Sequence, residues 1–110
     1  MNDLLRPSLY QAFHQISPLK QNSSARESVY DVVGPVCESA DVLGYDRSLK
    51  IEADDILAVQ SAGAYGFVMA NNYNTRLRPP EILVDDDKSY VIRERETYEQ
   101  LFCGELHSID

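Results

Sequence analysis

Glu81-Ile82-Leu83-Val84-Asp85-Asp86-Asp87-Lys88-Ser89-Tyr90-Val91-Ile92-Arg93 is the stretch that decides the fold class. Two runs rich in branched and aromatic residues flank a charged, turn-forming centre. The pattern predicts a β-hairpin with its turn at Asp85–Lys88. Arg78-Pro79-Pro80 stands just before it. Downstream, Thr97 and Gln100 have the spacing of a capping box, and Leu101-Phe102 precede Gly104, which together predict one short terminal helix.

Working upstream, Asn71–Asn74 is a polar run, and Phe67–Ala70 fits a single helical turn. Gly63-Ala64-Tyr65-Gly66 closes an apolar stretch that begins at Ile56. The paired glycines suggest a sharp turn that brings the tyrosine ring out. Ile51–Asp55 reads as a connection and Leu43–Asp46 as a turn. Val29–Val36 is a β-branched run that bends at Gly34-Pro35 and carries Cys37 and Glu38 past the bend. Residues 20–28 hold no large apolar side chain and read as an exposed loop, too short to separate two domains. At the start, Pro7 suits the first turn of a short helix with Asp3 as its candidate cap, and the chain becomes extended near Pro18. The expectation is one mainly β domain over residues 1–110, with two or three short helices and no internal repeat.

Composition narrows the function. Of 110 residues, 44% are hydrophobic and 25% charged, which is the profile of an ordinary globular domain. Ten basic against 18 acidic residues leave a formal charge of −8, and such a surface repels a phosphate backbone. No nucleic-acid partner is expected. No apolar run approaches the roughly 20 residues that cross a bilayer, so no membrane partner is expected either. A basic-then-apolar leader is missing, and the two cysteines, Cys37 and Cys103, show no framework spacing. Reduced thiols in a cytoplasmic protein are the reading that follows.

Several chemistries lack their residues. His14 and His107 stand apart from any metal-ligand spacing, and each reads as a surface or internally satisfied histidine; no metal is expected. Neither a glycine-rich phosphate loop nor a nucleophile elbow occurs. Three features remain. Cys37 beside Glu38 displays a thiol and a carboxylate after a backbone break, where the thiol could act as acid, base or nucleophile, or fill space as a small buried hydrophobe. Tyr65 offers a stacking face and a polar tip to a planar or phosphorylated ligand, or packs as a core or rim tyrosine. Arg6 and Tyr10, four residues apart on a helix, could hold a carboxylate or form a surface pair. Asp85–Asp87 and Arg93–Glu96 read as solvated.

Taken in order, the blocks at 1–10 (Met-Asn-Asp-Leu-Leu-Arg-Pro-Ser-Leu-Tyr), 33–41 (Val-Gly-Pro-Val-Cys-Glu-Ser-Ala-Asp), 62–66, 72–74 and 78–85 resemble the late part of the diaminopimelate decarboxylase family. The resemblance covers nearly the whole chain. It implies a fold type III, alanine-racemase-like enzyme built from an N-terminal β/α barrel and a C-terminal β domain. This chain would be an incomplete C-terminal β-barrel or sandwich domain with short helices, the barrel lying outside it. The implied reaction is the pyridoxal 5'-phosphate-dependent conversion of meso-2,6-diaminopimelate to L-lysine and carbon dioxide, a step of lysine biosynthesis.

By the same resemblance, Cys37 is the acid that delivers a proton after carbon dioxide leaves. Arg6, Tyr10, Glu38 and Tyr65 contact the amino-acid substrate, and Tyr65 also touches the cofactor. Such sites form at a homodimer interface. The Schiff-base lysine has no counterpart here, because Lys20, Lys50 and Lys88 all read as exposed loop or turn lysines. The chain alone is then expected to be inactive. The alternative is a catalytically dead interaction module that docks on a full-length decarboxylase.

Overall fold

The computed structural model describes residues 1–21 and 24–106. His107 and part of the 20–28 loop therefore lie outside the described residues. The element order is α1 (Arg6–Tyr10), β1 (Ile16–Pro18), β2 (Glu27–Val33), β3 (Val42–Lys50), β4 (Leu57–Val59), α2 (Gly66–Met69), a 3-10 turn at Tyr73–Thr75, β5 (Glu81–Asp85), β6 (Lys88–Arg93) and α3 (Tyr98–Leu101). The architecture is mainly β with short helices. Its strands pair antiparallel two by two: β1 with β4, β2 with β3, and β5 with β6.

The expected hairpin forms as β5 and β6, with Leu83 opposite Tyr90 and Asp85 opposite Lys88. Thr97 makes the capping box of α3: its hydroxyl accepts from the Gln100 N–H while the Gln100 side chain accepts from the Thr97 N–H. Asp3, in contrast, caps nothing. The residue before α1 is Leu5, and Pro7 in the first turn carries that end unaided, since its missing N–H is one that no helix could satisfy there.

The turn expected at Leu43–Asp46 is instead the middle of β3. Tyr30 pairs with Arg47 and Val32 with Gly44, so β3 holds one residue more than β2 between these pairs. Asp46 takes a left-handed φ of 53°, and its N–H donates to the Asp31 carboxylate at 3.0 Å. Glycine and aspartate, the residues that signal turns, also accommodate a β-bulge, and here they bend a continuing strand.

The buried apolar side chains are Met1, Leu4, Ile16, Ala25 and Leu49. Ile16 belongs to β1 and Leu49 to β3, two strands that contact each other. The β1–β4 ladder is extended at both ends by Leu19 N–H to Ile56 O at 2.9 Å and Gln60 N–H to Gln15 O at 2.8 Å. Phe67 of α2 anchors the C-terminal part: the Arg93 guanidinium sits 4.0 Å and that of Arg78 5.4 Å from its ring centroid. Glu96 accepts from the Arg78 backbone N–H at 2.9 Å and from its guanidinium at 2.9 and 3.2 Å, which closes the base of the hairpin.

Candidate functional site

The loop between β2 and β3 carries Cys37 and Glu38. The Glu38 N–H donates to Val36 O at 2.9 Å, an i to i+2 bond that places Cys37 at the apex of a γ-turn. Cys37 is accordingly exposed, which corrects its alternative reading as a small buried hydrophobe. Cys103 is exposed as well, and both thiols are free.

Asp41 closes this loop. It is buried, its backbone oxygen accepts the Gly34 N–H at 2.7 Å, and its Oδ2 accepts the Val36 N–H at 2.7 Å. A Cβ on Gly34 would stand 2.6 Å from Asp41 Cγ, so glycine is needed here for close approach of the carboxylate. From the other side the Ser8 hydroxyl of α1 donates to Ala40 O.

Arg6 begins α1 and turns onto Tyr65, its guanidinium carbon 4.0 Å from the ring centroid. The phenol that Arg6 meets is thus Tyr65 rather than its helix neighbour Tyr10, which projects outward, 64% exposed. No carboxylate pairs with Arg6 among the described residues. An uncompensated guanidinium lying on an aromatic face retains donors for an anionic group.

Tyr65 stands just ahead of α2, in a turn where both its own N–H and that of Gly66 donate to Ala62 O. The paired glycines are not what shapes this turn. Neither Gly63 nor Gly66 has a positive φ; the left-handed residue is Ser61, at 56°.

Two buried polar residues carry structure near this site, and of these the sequence reading left Asn2 unassigned. Asn2 donates to Asn71 O, Asn71 Oδ1 and Tyr73 O, at 3.2, 3.1 and 2.7 Å, pinning the first residues to the segment after α2. His14 is buried and internally bonded, which selects the satisfied alternative over the surface one. For Asp41 a signal did exist: a short acidic residue four positions after Cys37 can reach back to loop N–H groups. Among the described residues no group of His, Cys, Asp and Glu could hold a metal ion, and no helix is long and apolar enough to cross a membrane.

Residues 1–63 match the family model described as the pyridoxal-dependent decarboxylase C-terminal sheet domain. The chain is 53% identical over 105 residues to the diaminopimelate decarboxylase of Pseudomonas fluorescens, covering 96% of this chain and 25% of that protein. It is 51% identical to that of Vibrio cholerae with the same coverage of each. The crystal structure of diaminopimelate decarboxylase from M. jannaschii superposes with a TM-score of 0.87 at 45% identity, over 96% of this chain and 24% of that one. The Helicobacter pylori enzyme complexed with L-lysine gives 0.82 at 46% identity, over 93% and 25%. The chain spans about a quarter of the length of the curated relatives it matches.

Proposed function

The chain belongs to the pyridoxal-dependent decarboxylase family, and we propose that residues 1–110 are a single C-terminal sheet domain serving as the substrate-facing part of a diaminopimelate decarboxylase. The observation that carries this reading is the display of Cys37 at the apex of a braced loop, in a fold that also presents the Arg6–Tyr65 pair. The activity is the decarboxylation of meso-2,6-diaminopimelate to L-lysine in the cytoplasm.

The residues present suit one edge of a pyridoxal 5'-phosphate site and not its anchor. Tyr65 offers a partly exposed phenol. Lys20, Lys50 and Lys88 are all exposed on loops or strand ends remote in sequence from it, so the lysine that anchors the cofactor is supplied from outside this chain. When bound, that cofactor supplies an electron sink for the pair released as the carbon–carboxylate bond breaks.

The remaining work falls to this chain's side chains. Arg6, with Tyr10 nearby on α1, binds a substrate carboxylate through its unpaired N–H groups. Glu38, a half-buried carboxylate next to Cys37, suits the ammonium of the substrate's distal amino-acid group. Cys37 holds its proton at Sγ and delivers it to the carbon that has lost carbon dioxide; the thiolate regains a proton from water. We place this arrangement at a homodimer interface, where an exposed loop tip can enter the partner's site, with no part for nucleic acid or a membrane.

The test is substrate choice in the complete decarboxylase that carries this domain. Carbon dioxide release should be fast with meso-diaminopimelate and slow with ornithine, which lacks the distal carboxylate. Glu38→Gln should raise KM for diaminopimelate about tenfold by removing one charge-assisted contact. Equal turnover of both substrates would sink the assignment.

A further inference from the structure

Resting on that reading, we propose that His14 is a positioning residue for Arg6, holding the guanidinium over Tyr65 and thereby setting affinity for the substrate carboxylate. His14 is 2% exposed, one of the most deeply buried side chains of the described residues. Its Nδ1 lies 2.9 Å from Gln60 O and its Nε2 lies 3.5 Å from Arg6 Nη1. A carbonyl only accepts, so Nδ1 carries the hydrogen. A guanidinium only donates, so Nε2 presents its lone pair. Both neighbours select the same tautomer of the ring, and the imidazole becomes a bridge of fixed polarity from a backbone carbonyl to a charged side chain.

The far end of the bridge is rigid. The Gln60 N–H donates to Gln15 O at 2.8 Å, and its side-chain amide donates to Ser17 Oγ at 3.1 Å, so residue 60 continues the β1–β4 ladder. The Arg6 guanidinium has no other hydrogen-bond or ion-pair partner among the described residues; His14 meets one Nη and Tyr65 one face. Without the imidazole acceptor, the long arginine side chain regains rotamers that point its fork away from the ring. The effect belongs to binding rather than to the chemical step.

The discriminating variants follow from side-chain length. Asparagine places an amide nitrogen near the Nδ1 position and keeps the bond to Gln60 O while losing Arg6. Glutamine places an amide oxygen near the Nε2 position and keeps the acceptor for Arg6. In the complete decarboxylase, His14→Asn should raise KM about tenfold at nearly unchanged kcat, and His14→Gln should restore most of the loss. In an Arg6→Ala background, His14→Asn should add nothing further, since the two act as one unit.

Equal KM for both His14 variants, or additive effects with Arg6→Ala, would overturn the proposal. Should His14→Asn not accumulate as folded protein, a near-native KM for His14→Gln still supports it, and a raised one defeats it. The underlying reading is tested separately. If Arg6→Ala leaves KM unchanged, the substrate role of Arg6 fails; if Arg6→Ala raises KM and His14→Asn does not, only the positioning role fails.

Discussion

Arg6 combines a stacked face, a single neutral acceptor and, among the described residues, no counter-ion, a combination that a lysine cannot reproduce. An ammonium has no planar face for Tyr65 and no fork for a carboxylate. Arg6→Lys should therefore raise KM for substrate about tenfold while leaving the melting temperature nearly unchanged, as steady-state kinetics and calorimetry on the same preparation will show. At Cys37 the same argument concerns access. The thiol tops a γ-turn and is exposed, so an alkylating reagent should reach it in the folded protein. The residue types were legible in sequence: Cys37 and Tyr65 follow glycine or proline breaks, and Arg6 stands one helical turn ahead of Tyr10. Their partners were not: that Arg6 meets Tyr65, 59 positions away, is decided by the β1–β4 pairing, which no local pattern encodes.

At the scale of the element, the β2–β3 loop depends on one close approach. A methyl group on Gly34 collides with the Asp41 carboxylate, and that carboxylate holds the Val36 N–H just ahead of Cys37. Gly34→Ala should cost about 1–3 kcal/mol of stability and lower activity beyond that cost, because the thiol loses its fixed position. Thermal denaturation alongside kcat separates the two effects. Thr97→Ala, at the capping box of α3, should cost only about 1 kcal/mol and leave activity intact.

The hairpin and this cap were readable because both are local devices with residue-specific geometry. The bulge in β3 was not, since the glycine and aspartate of Leu43–Asp46 serve a turn or a bulge equally well. Only pairing with β2 decides between them. Asp3 failed as a cap for a related reason: Pro7 already starts the helix, so no side chain has to.

At the scale of the whole molecule, the radius of gyration is 16.8 Å, whereas about 13 Å suits a compact domain of this length. Its accessible surface is 8521 Å², against roughly 6,100 Å² for a monomer of 12.4 kDa. Ile82, Val84, Tyr90 and Ile92 are exposed on a hairpin that has no third strand among the described residues. Two strands alone are marginal in water. Amide exchange in β5 and β6 should thus be fast in the isolated chain and slow in the complete enzyme.

The clasp at the hairpin base adds a pH dependence. Hydrogen bonds from the Arg78 backbone N–H, then from its guanidinium, hold the Glu96 carboxyl below its ordinary value. The stabilisation is complete above the usual glutamate range, near about pH 4.3, and is lost as pH falls through the lowered folded-state value. Glu96→Gln should abolish that loss in pH-dependent exchange of the hairpin base.

The central claim is that this domain supplies the proton donor. The most direct measurement is kcat and KM of Cys37→Ala in the complete decarboxylase with meso-diaminopimelate. A fall in kcat of about 10²–10⁴-fold, with KM changed by no more than about threefold, is the predicted result. An unchanged kcat would contradict it.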